Sequence, residues 1–170
     1  KDLSVTGPHG DIPVRFYYPT DAREASLLIY FHGGGFVYGN IESHDKICRW
    51  VAERSRVVVA AVDYRLAPEF KFPTPLDEAV AVLDYVIAEA VALGIDPNRI
   101  AMGGDSAGAS ISLGTAIALK ERGRANALKF LLLYYGSYGL GYDGPSALKY
   151  DDPVYGLSGE RRRFYRSSYV

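Results

Sequence analysis

Four strand-like segments recur along this chain, and segments with helical chemistry separate them. Residues 27–31, 57–62 and 130–134 are continuous apolar runs, and residues 99–103 read as the remaining strand. Uninterrupted runs of this kind are typical of parallel strands that are covered on both faces. Helices are predicted over residues 43–54, from Thr74 towards Gly94, and over 107–122. Strands that alternate with helices predict an α/β fold with a mostly parallel sheet. Such folds place reactive groups at the carboxyl ends of the strands.

Local signals refine the boundaries of these elements. Residues 3–5 and 14–18 read as strands, and the turn chemistry of residues 7–11 joins them into an antiparallel hairpin that precedes the parallel part. Thr74 is predicted to be an N-cap, with Pro75 in the first helical position. Gly94 is the expected C-cap of that helix.

Composition excludes several function classes. The 170 residues are 48% hydrophobic and 23% charged, as in a globular domain. Nineteen Lys and Arg against twenty Asp and Glu give a net charge of -1, which argues against nucleic acid or an anionic membrane surface as the main partner. No uncharged run is long and apolar enough to span a bilayer. The single cysteine, Cys48, suits a reducing compartment, and we expect a cytoplasmic protein.

A serine lies in the pattern G-x-S-x-G between a predicted strand and a predicted helix. Residues 104–108 read Gly-Asp-Ser-Ala-Gly. A nucleophile on a sharp, strained turn needs small neighbours, and the helix that starts there directs free N–H groups to the same place. Ser106 is therefore the candidate nucleophile.

A run of three glycines directly follows the first apolar run. Residues 32–36 read His-Gly-Gly-Gly-Phe. Glycines allow backbone N–H groups to approach a ligand closely, and such groups can hold a developing oxyanion. The alternatives are a flexible turn or a phosphate loop, but neither phosphate-loop pattern is present.

Together the two motifs resemble the α/β-hydrolase superfamily, and within it the hormone-sensitive-lipase-like esterases of the bacterial acetyl esterase type. His32 precedes Ser106 by 74 residues, and residues 63–69, Asp-Tyr-Arg-Leu-Ala-Pro-Glu, are similar to the family's intervening segment. The resemblance implies that Ser106 is the nucleophile and that the N–H groups of Gly33, Gly34 and Ala107 form the oxyanion hole. It implies that His32 fixes the loop, that Asp105 supports the elbow and that Arg65 and Glu69 make polar contacts.

The histidines depart from the family pattern. In this fold the triad order is Ser, Asp or Glu, then His, yet His9, His32 and His44 all precede Ser106. We expect the triad Asp and His to lie outside this chain, which would then be an internal fragment of a longer esterase. The alternatives are a short natural variant without its base, or a base rewired from His44 or His32.

These observations predict one part of a catalytic domain and one function. Residues 1–142 are assigned to the N-terminal part of an α/β-hydrolase catalytic domain, and 143–170 to the start of a lid-like or surface segment. The arginines near residues 161–166 either bind anions or form a solvated helix face. The resemblance implies a serine carboxylesterase that acts on a small-molecule, short-chain acyl ester, with no metal and no cofactor. The alternative is a member of the same fold that binds a small molecule without turning it over.

Overall fold

Strands and helices alternate along the chain as the apolar runs predict. The computed structural model describes residues 1–20, 25–139 and 144–170. The strands are β1 (Asp2–Gly7), β2 (Gly10–Tyr17), β3 (Ala25–Phe31), β4 (Val58–Val62), β5 (Ile95–Asp105) and β6 (Phe130–Tyr134). The α-helices are α1 (Ile41–Ser55), α2 (Thr74–Ala88), α3 (Ala90–Leu93), α4 (Ala107–Glu121), α5 (Pro145–Lys149) and α6 (Gly159–Tyr169), and short 3-10 turns cover Ala125–Ala127 and Pro153–Tyr155.

The strands form one mixed sheet in the order β1-β2-β4-β3-β5-β6. β1 and β2 are the predicted antiparallel hairpin, with Val5 opposite Ile12, and β2 pairs antiparallel with β4. β4, β3, β5 and β6 run parallel to one another. The expected fold class, a mostly parallel α/β sheet preceded by a hairpin, is confirmed.

Helices cover both faces of the central strands, which explains why β3 and β4 are apolar without interruption. Strand side chains on one face, among them Tyr30 and Val59, pack against α1, whose Cys48 lies in the same core. Side chains on the other face pack with residues of α2 and α4, as Phe31 does. Alternate residues of one strand therefore reach two separate cores.

Backbone and side-chain caps set the helix ends. α1 begins two residues before the predicted start, because Asn40 and Ser43 form a capping box in which each accepts the other's backbone N–H, at 2.8 and 3.0 Å. The prediction of Thr74 as an N-cap is wrong by one residue. The carbonyl of Pro73 instead accepts the N–H groups of Leu76 and Asp77, at 2.8 and 3.1 Å, and Thr74 lies inside the helix.

Two strands differ from their predictions. β5 begins at Ile95 rather than Arg99, because Ile95 pairs with Ala25 across an irregularity in the β3 register. β6 has the apolar run that is typical of a strand covered on both faces, but it is the outer strand of this sheet, and its terminal side chains, Phe130 and Tyr134, are 63% and 47% exposed. Gly94 is confirmed as a C-cap, with φ of 68°, although it ends the short α3 rather than one long helix.

Candidate active site

Ser106 lies in a strained turn between β5 and α4. Its φ and ψ are 51° and -115°, a conformation that non-glycine residues rarely adopt. A Cβ atom on Gly104 or on Gly108 would overlap the carbonyl oxygen of Phe31, which belongs to the neighbouring strand β3. Both glycines of the motif are therefore required by the close approach of β3 to the turn.

The hydroxyl of Ser106 is available for chemistry. The backbone N–H of Ser106 donates to the Tyr134 carbonyl at 2.8 Å, which attaches the turn to β6. Its side chain is half-buried, and its Oγ has no hydrogen-bond partner among the described residues. In the same ranges the N–H of Ala107, at the first position of α4, has no acceptor. A helix start with a free N–H beside an exposed hydroxyl favours a developing negative charge there.

Among the three glycines of the loop, one backbone N–H group is hydrogen-bonded to a described residue and the other two are not. The Gly33 N–H donates to Oδ1 of Asp105 at 3.0 Å, so it is engaged by a carboxylate and is not free to bind an ester oxygen. This contact does not fit the expectation that the Gly33 N–H is part of the oxyanion hole. The N–H groups of Gly34 and Gly35 have no acceptor within the described part of the chain. Their φ values, 127° and 60°, lie in the region that favours glycine.

The Asp105 carboxylate joins the glycine loop to the elbow, in line with the role that the resemblance implied. Oδ1 accepts from Tyr30 Oη at 2.8 Å and faces Nε2 of His44 at 3.4 Å, while Tyr135 donates to Oδ2 at 3.3 Å. Burial alone would raise the pKa of Asp105. The hydrogen bonds from His44, Tyr30 and the Gly33 N–H outweigh it, so the pKa lies below its usual value.

His32 is buried beneath the glycine loop. Its Nδ1 donates to the Gly33 carbonyl at 2.8 Å, and its ring stacks on Tyr64, whose hydroxyl donates to the His32 carbonyl at 2.9 Å. Burial lowers the pKa of His32, which keeps the ring neutral. These contacts match the loop-fixing role that the resemblance implied.

None of the three histidines holds Ser106. Nδ1 of His44 faces Ser43 Oγ at 2.9 Å, and Nε2 of His9 lies 3.9 Å from Asp77. No nitrogen of His9, His32 or His44, all of them in described ranges, hydrogen-bonds to Ser106 Oγ. The geometry gives no support to a base rewired from His44 or His32.

Arg65 braces the floor of the site through a partner that the sequence reading missed. Its guanidinium and its backbone N–H both bind the Glu78 carboxylate, which is 0% exposed. Glu69, expected to make polar contacts, is exposed and has no partner among the described residues.

α6 forms an aromatic wall against the glycine loop. The Tyr169 ring stacks on Phe36 with centroids 3.9 Å apart, and the Tyr165 hydroxyl donates to that of Tyr38 at 3.3 Å. The Lys71 ammonium donates to the carbonyl of Val170 at 3.0 Å, just beyond the end of the helix. The expected domain boundary at 142/143 lies outside the described residues.

The arginines of this helix make structural contacts. Arg161 donates to the Gly156 carbonyl at 2.7 Å, and Arg162 donates to the Leu157 carbonyl at 2.9 Å and lies 3.5 Å from Asp151. Arg161 and Arg162 are therefore engaged by groups of the protein, which supports neither an anion site nor a purely solvated helix face at these two residues. Across the described ranges, no group of three or more His, Cys, Asp or Glu side chains is placed to hold a metal ion. No helix there has the length and apolar character that crossing a membrane requires.

Comparisons with known proteins agree with this geometry. A family profile described as an alpha/beta hydrolase fold matches residues 28–170. The acetyl esterase of Salmonella choleraesuis is 36% identical over 171 residues, which covers 100% of this chain and 52% of that protein. The structure of the hyperthermophilic esterase from the archaeon Pyrobaculum calidifontis superimposes with a TM-score of 0.95 at 37% identity, covering 100% of this chain and 56% of its own.

EstE1, a thermostable carboxylesterase cloned from a metagenomic library, also has a TM-score of 0.95 at 37% identity, with 100% of this chain and 58% of its own covered. The chain therefore spans about half the length of the relatives that it matches.

Proposed function

Because this chain belongs to the α/β-hydrolase fold family, we propose that it carries the nucleophile and the oxyanion site of a serine carboxylesterase acting on short-chain acyl esters. The observation that carries the proposal is Ser106, held at a φ of 51° with an unengaged hydroxyl at the start of α4. Strain of this kind persists only where the surrounding structure enforces it. The names of the relatives, acetyl esterase and carboxylesterase, support the substrate class.

The reaction follows from these groups in two stages. Ser106 Oγ attacks the ester carbonyl carbon while its proton passes to a general base, and the carbonyl oxygen becomes negatively charged. The alcohol leaves with that proton, and water hydrolyses the resulting acyl-enzyme. The oxyanion donors are the N–H groups of Gly34, Gly35 and Ala107, which have no acceptor among the described residues. Gly33 is removed from the expected set because Asp105 engages its N–H, and Gly35 takes its place.

The general base and its orienting acid come, in this proposal, from residues outside 1–170. His32 is neutral and engaged with Gly33, and His44 faces Asp105 and Ser43. The relatives extend well beyond the matched region, which leaves room for both groups. Residues 143–170 contribute the wall of the site through α6, and we assign them to the start of a lid.

The experiment uses the full natural chain that contains these residues. With p-nitrophenyl acetate the parent is expected to release a stoichiometric burst, and a fluorophosphonate probe to label Ser106. Ser106→Ala should lower turnover by at least about 1000-fold. Ser55→Ala is the control, because that hydroxyl bonds the Val51 carbonyl near the far end of α1.

Three outcomes would contradict parts of the proposal. Activity of Ser106→Ala within tenfold of the parent contradicts the nucleophile. Saturable binding without a burst favours the alternative, a non-catalytic small-molecule-binding member of the fold. Turnover by residues 1–170 expressed alone contradicts the placement of the base outside this segment.

A further inference from the structure

The Asp105 carboxylate is held from four separate parts of the chain. Tyr30 Oη on β3, the Gly33 N–H of the glycine loop and His44 Nε2 on α1 all face Oδ1, at 2.8, 3.0 and 3.4 Å, and Tyr135, just after β6, donates to Oδ2 at 3.3 Å. Within the described ranges His44 is the only basic side chain paired with this carboxylate. The carboxylate in turn binds Gly33, which directly precedes the proposed oxyanion donors Gly34 and Gly35.

We propose that His44 is a positioning residue, which holds Asp105 against the Gly33 N–H and so fixes the direction of the Gly34 and Gly35 N–H groups. This inference rests on the proposed esterase site for its kinetic consequence. The chain of contacts from His44 through Asp105 to Gly33 does not depend on that function.

The two ring nitrogens of His44 face different groups. Nδ1 lies 2.9 Å from Ser43 Oγ, which also lies 2.7 Å from the Asn40 carbonyl and accepts the Asn40 N–H at 3.0 Å. The single hydroxyl proton can go to the Asn40 carbonyl or to Nδ1, so the tautomer decides the direction of the Nδ1 contact. Nε2 faces a carboxylate, which only accepts, so a proton on Nε2 points at Asp105.

The contact between His44 and Asp105 is partly buried. The side chains of His44 and Asp105 are only 21% and 13% exposed. The His32 and Tyr30 rings lie beside His44, with centroids 5.4 and 6.5 Å away. In such a partly dry setting an electrostatic contact between the imidazole and the carboxylate is stronger than the same contact in water. The capping box anchors the backbone of His44 in the first turn of α1, so the imidazole approaches Asp105 from a rigid element.

Removing the imidazole should affect the transition state more than substrate binding. Asp105 would keep Tyr30, Tyr135 and Gly33 but would lose its partner on α1, so the first peptide of the loop could shift. Oxyanion donors act mainly in the transition state, and a misplacement of about 1 Å can cost about 100-fold in rate. The signature is a fall in kcat with little change in KM.

The test compares His44→Ala and His44→Gln with Lys46→Ala, an exposed change on the same helix. In the full natural chain we measure kcat and KM with p-nitrophenyl acetate, the melting temperature, and the proton chemical shift of the Gly33 amide. His44→Ala should lower kcat by about 10- to 100-fold, change KM by less than about threefold, and move the Gly33 amide upfield. His44→Gln should recover part of both effects, because its amide can still donate to Asp105. Lys46→Ala should match the parent.

An unmoved Gly33 amide in His44→Ala would overturn the inference. So would a lower melting temperature with an unchanged kcat per folded molecule, which is the result of a purely structural role. If the parent hydrolyses no short-chain ester, the proposed function fails. In that case the chemical shift of the Gly33 amide proton is the only readout, and an upfield shift in His44→Ala supports the positioning role.

Discussion

The carbonyl oxygen of Phe31 occupies the space that a Cβ atom on Gly108 would need. Phe31 ends β3, and the glycine loop begins at the next residue but one. Gly108 lies in the first turn of α4, two residues after Ser106. The strand that delivers the proposed oxyanion donors and the helix that follows the nucleophile are therefore in direct backbone contact, so the two motifs form one structural unit.

A methyl group at this contact should destabilise the fold. Gly108→Ala places a Cβ against backbone that cannot rotate away, and we expect a loss of about 3 kcal/mol in the free energy of unfolding. Gly114→Ala is the matched control on the same helix, because its Cβ would be 3.1 Å from the flexible end of Leu76. It should stay within about 1 kcal/mol of the parent, since alanine favours a helix over glycine. Urea unfolding followed by circular dichroism measures both. Equal stability of the two variants would contradict the role of Phe31.

The strain at Ser106 has a measurable free energy. Ser106→Gly and Ser106→Ala both remove the hydroxyl, but glycine adopts a φ of 51° and a ψ of -115° with less strain. We expect Ser106→Gly to be more stable than Ser106→Ala by about 1 kcal/mol. Denaturant midpoints of the two inactive variants give the difference directly. If alanine were the more stable of the two, the strained backbone would be refuted.

Local patterns predicted the fold well. The apolar runs of β3 and β4 and the helix after Ser106 follow from side-chain chemistry within each segment, and they were placed within a few residues. β6 has an equally apolar run but lies at the edge of this sheet, because burial depends on what packs beside a strand rather than on the strand itself.

The finer parts of the site depend on contacts between distant residues. Three consecutive glycines look equivalent in sequence, and only the approach of Asp105, 72 residues after Gly33, shows which N–H is engaged. Glu78 is suitably placed for the helix dipole, yet Arg65 accounts for its burial. No local signal distinguishes such a carboxylate from a solvated one on the same helix turn.

A Cβ atom on Gly34 and one on Gly35 would meet different neighbours. A Cβ on Gly34 would overlap the backbone carbonyl of Tyr38, so Gly34→Ala should cost about 2 kcal/mol or more and report on folding rather than on chemistry. A Cβ on Gly35 would instead lie 2.6 Å from the ring of Tyr165, a side chain that can be removed.

A double-mutant cycle isolates that second contact. Gly35→Ala should destabilise the parent, and should cost at least about 1 kcal/mol less in a Tyr165→Ala background, where the ring is absent. Free energies of unfolding for the four proteins provide the coupling. Additive effects would show that Tyr165 does not pack on the loop.

The Asp105 network predicts how stability depends on pH. The pKa of this carboxyl is held below its usual 3.8 in the folded protein, so the ionised form is stabilised by folding. That contribution is fully present above the unfolded pKa and is lost as the pH falls through the folded value. Asp105→Asn should therefore be less stable than the parent by about 2 kcal/mol at pH 7, and the gap should be clearly smaller at about pH 3, which lies below the unfolded pKa. Glu121→Gln, a change from carboxyl to amide at the exposed end of α4, controls for the loss of one charge. Urea unfolding of the three proteins at both pH values measures the gap. A gap of the same size at both pH values would show that the ionised carboxylate contributes nothing to holding the loop.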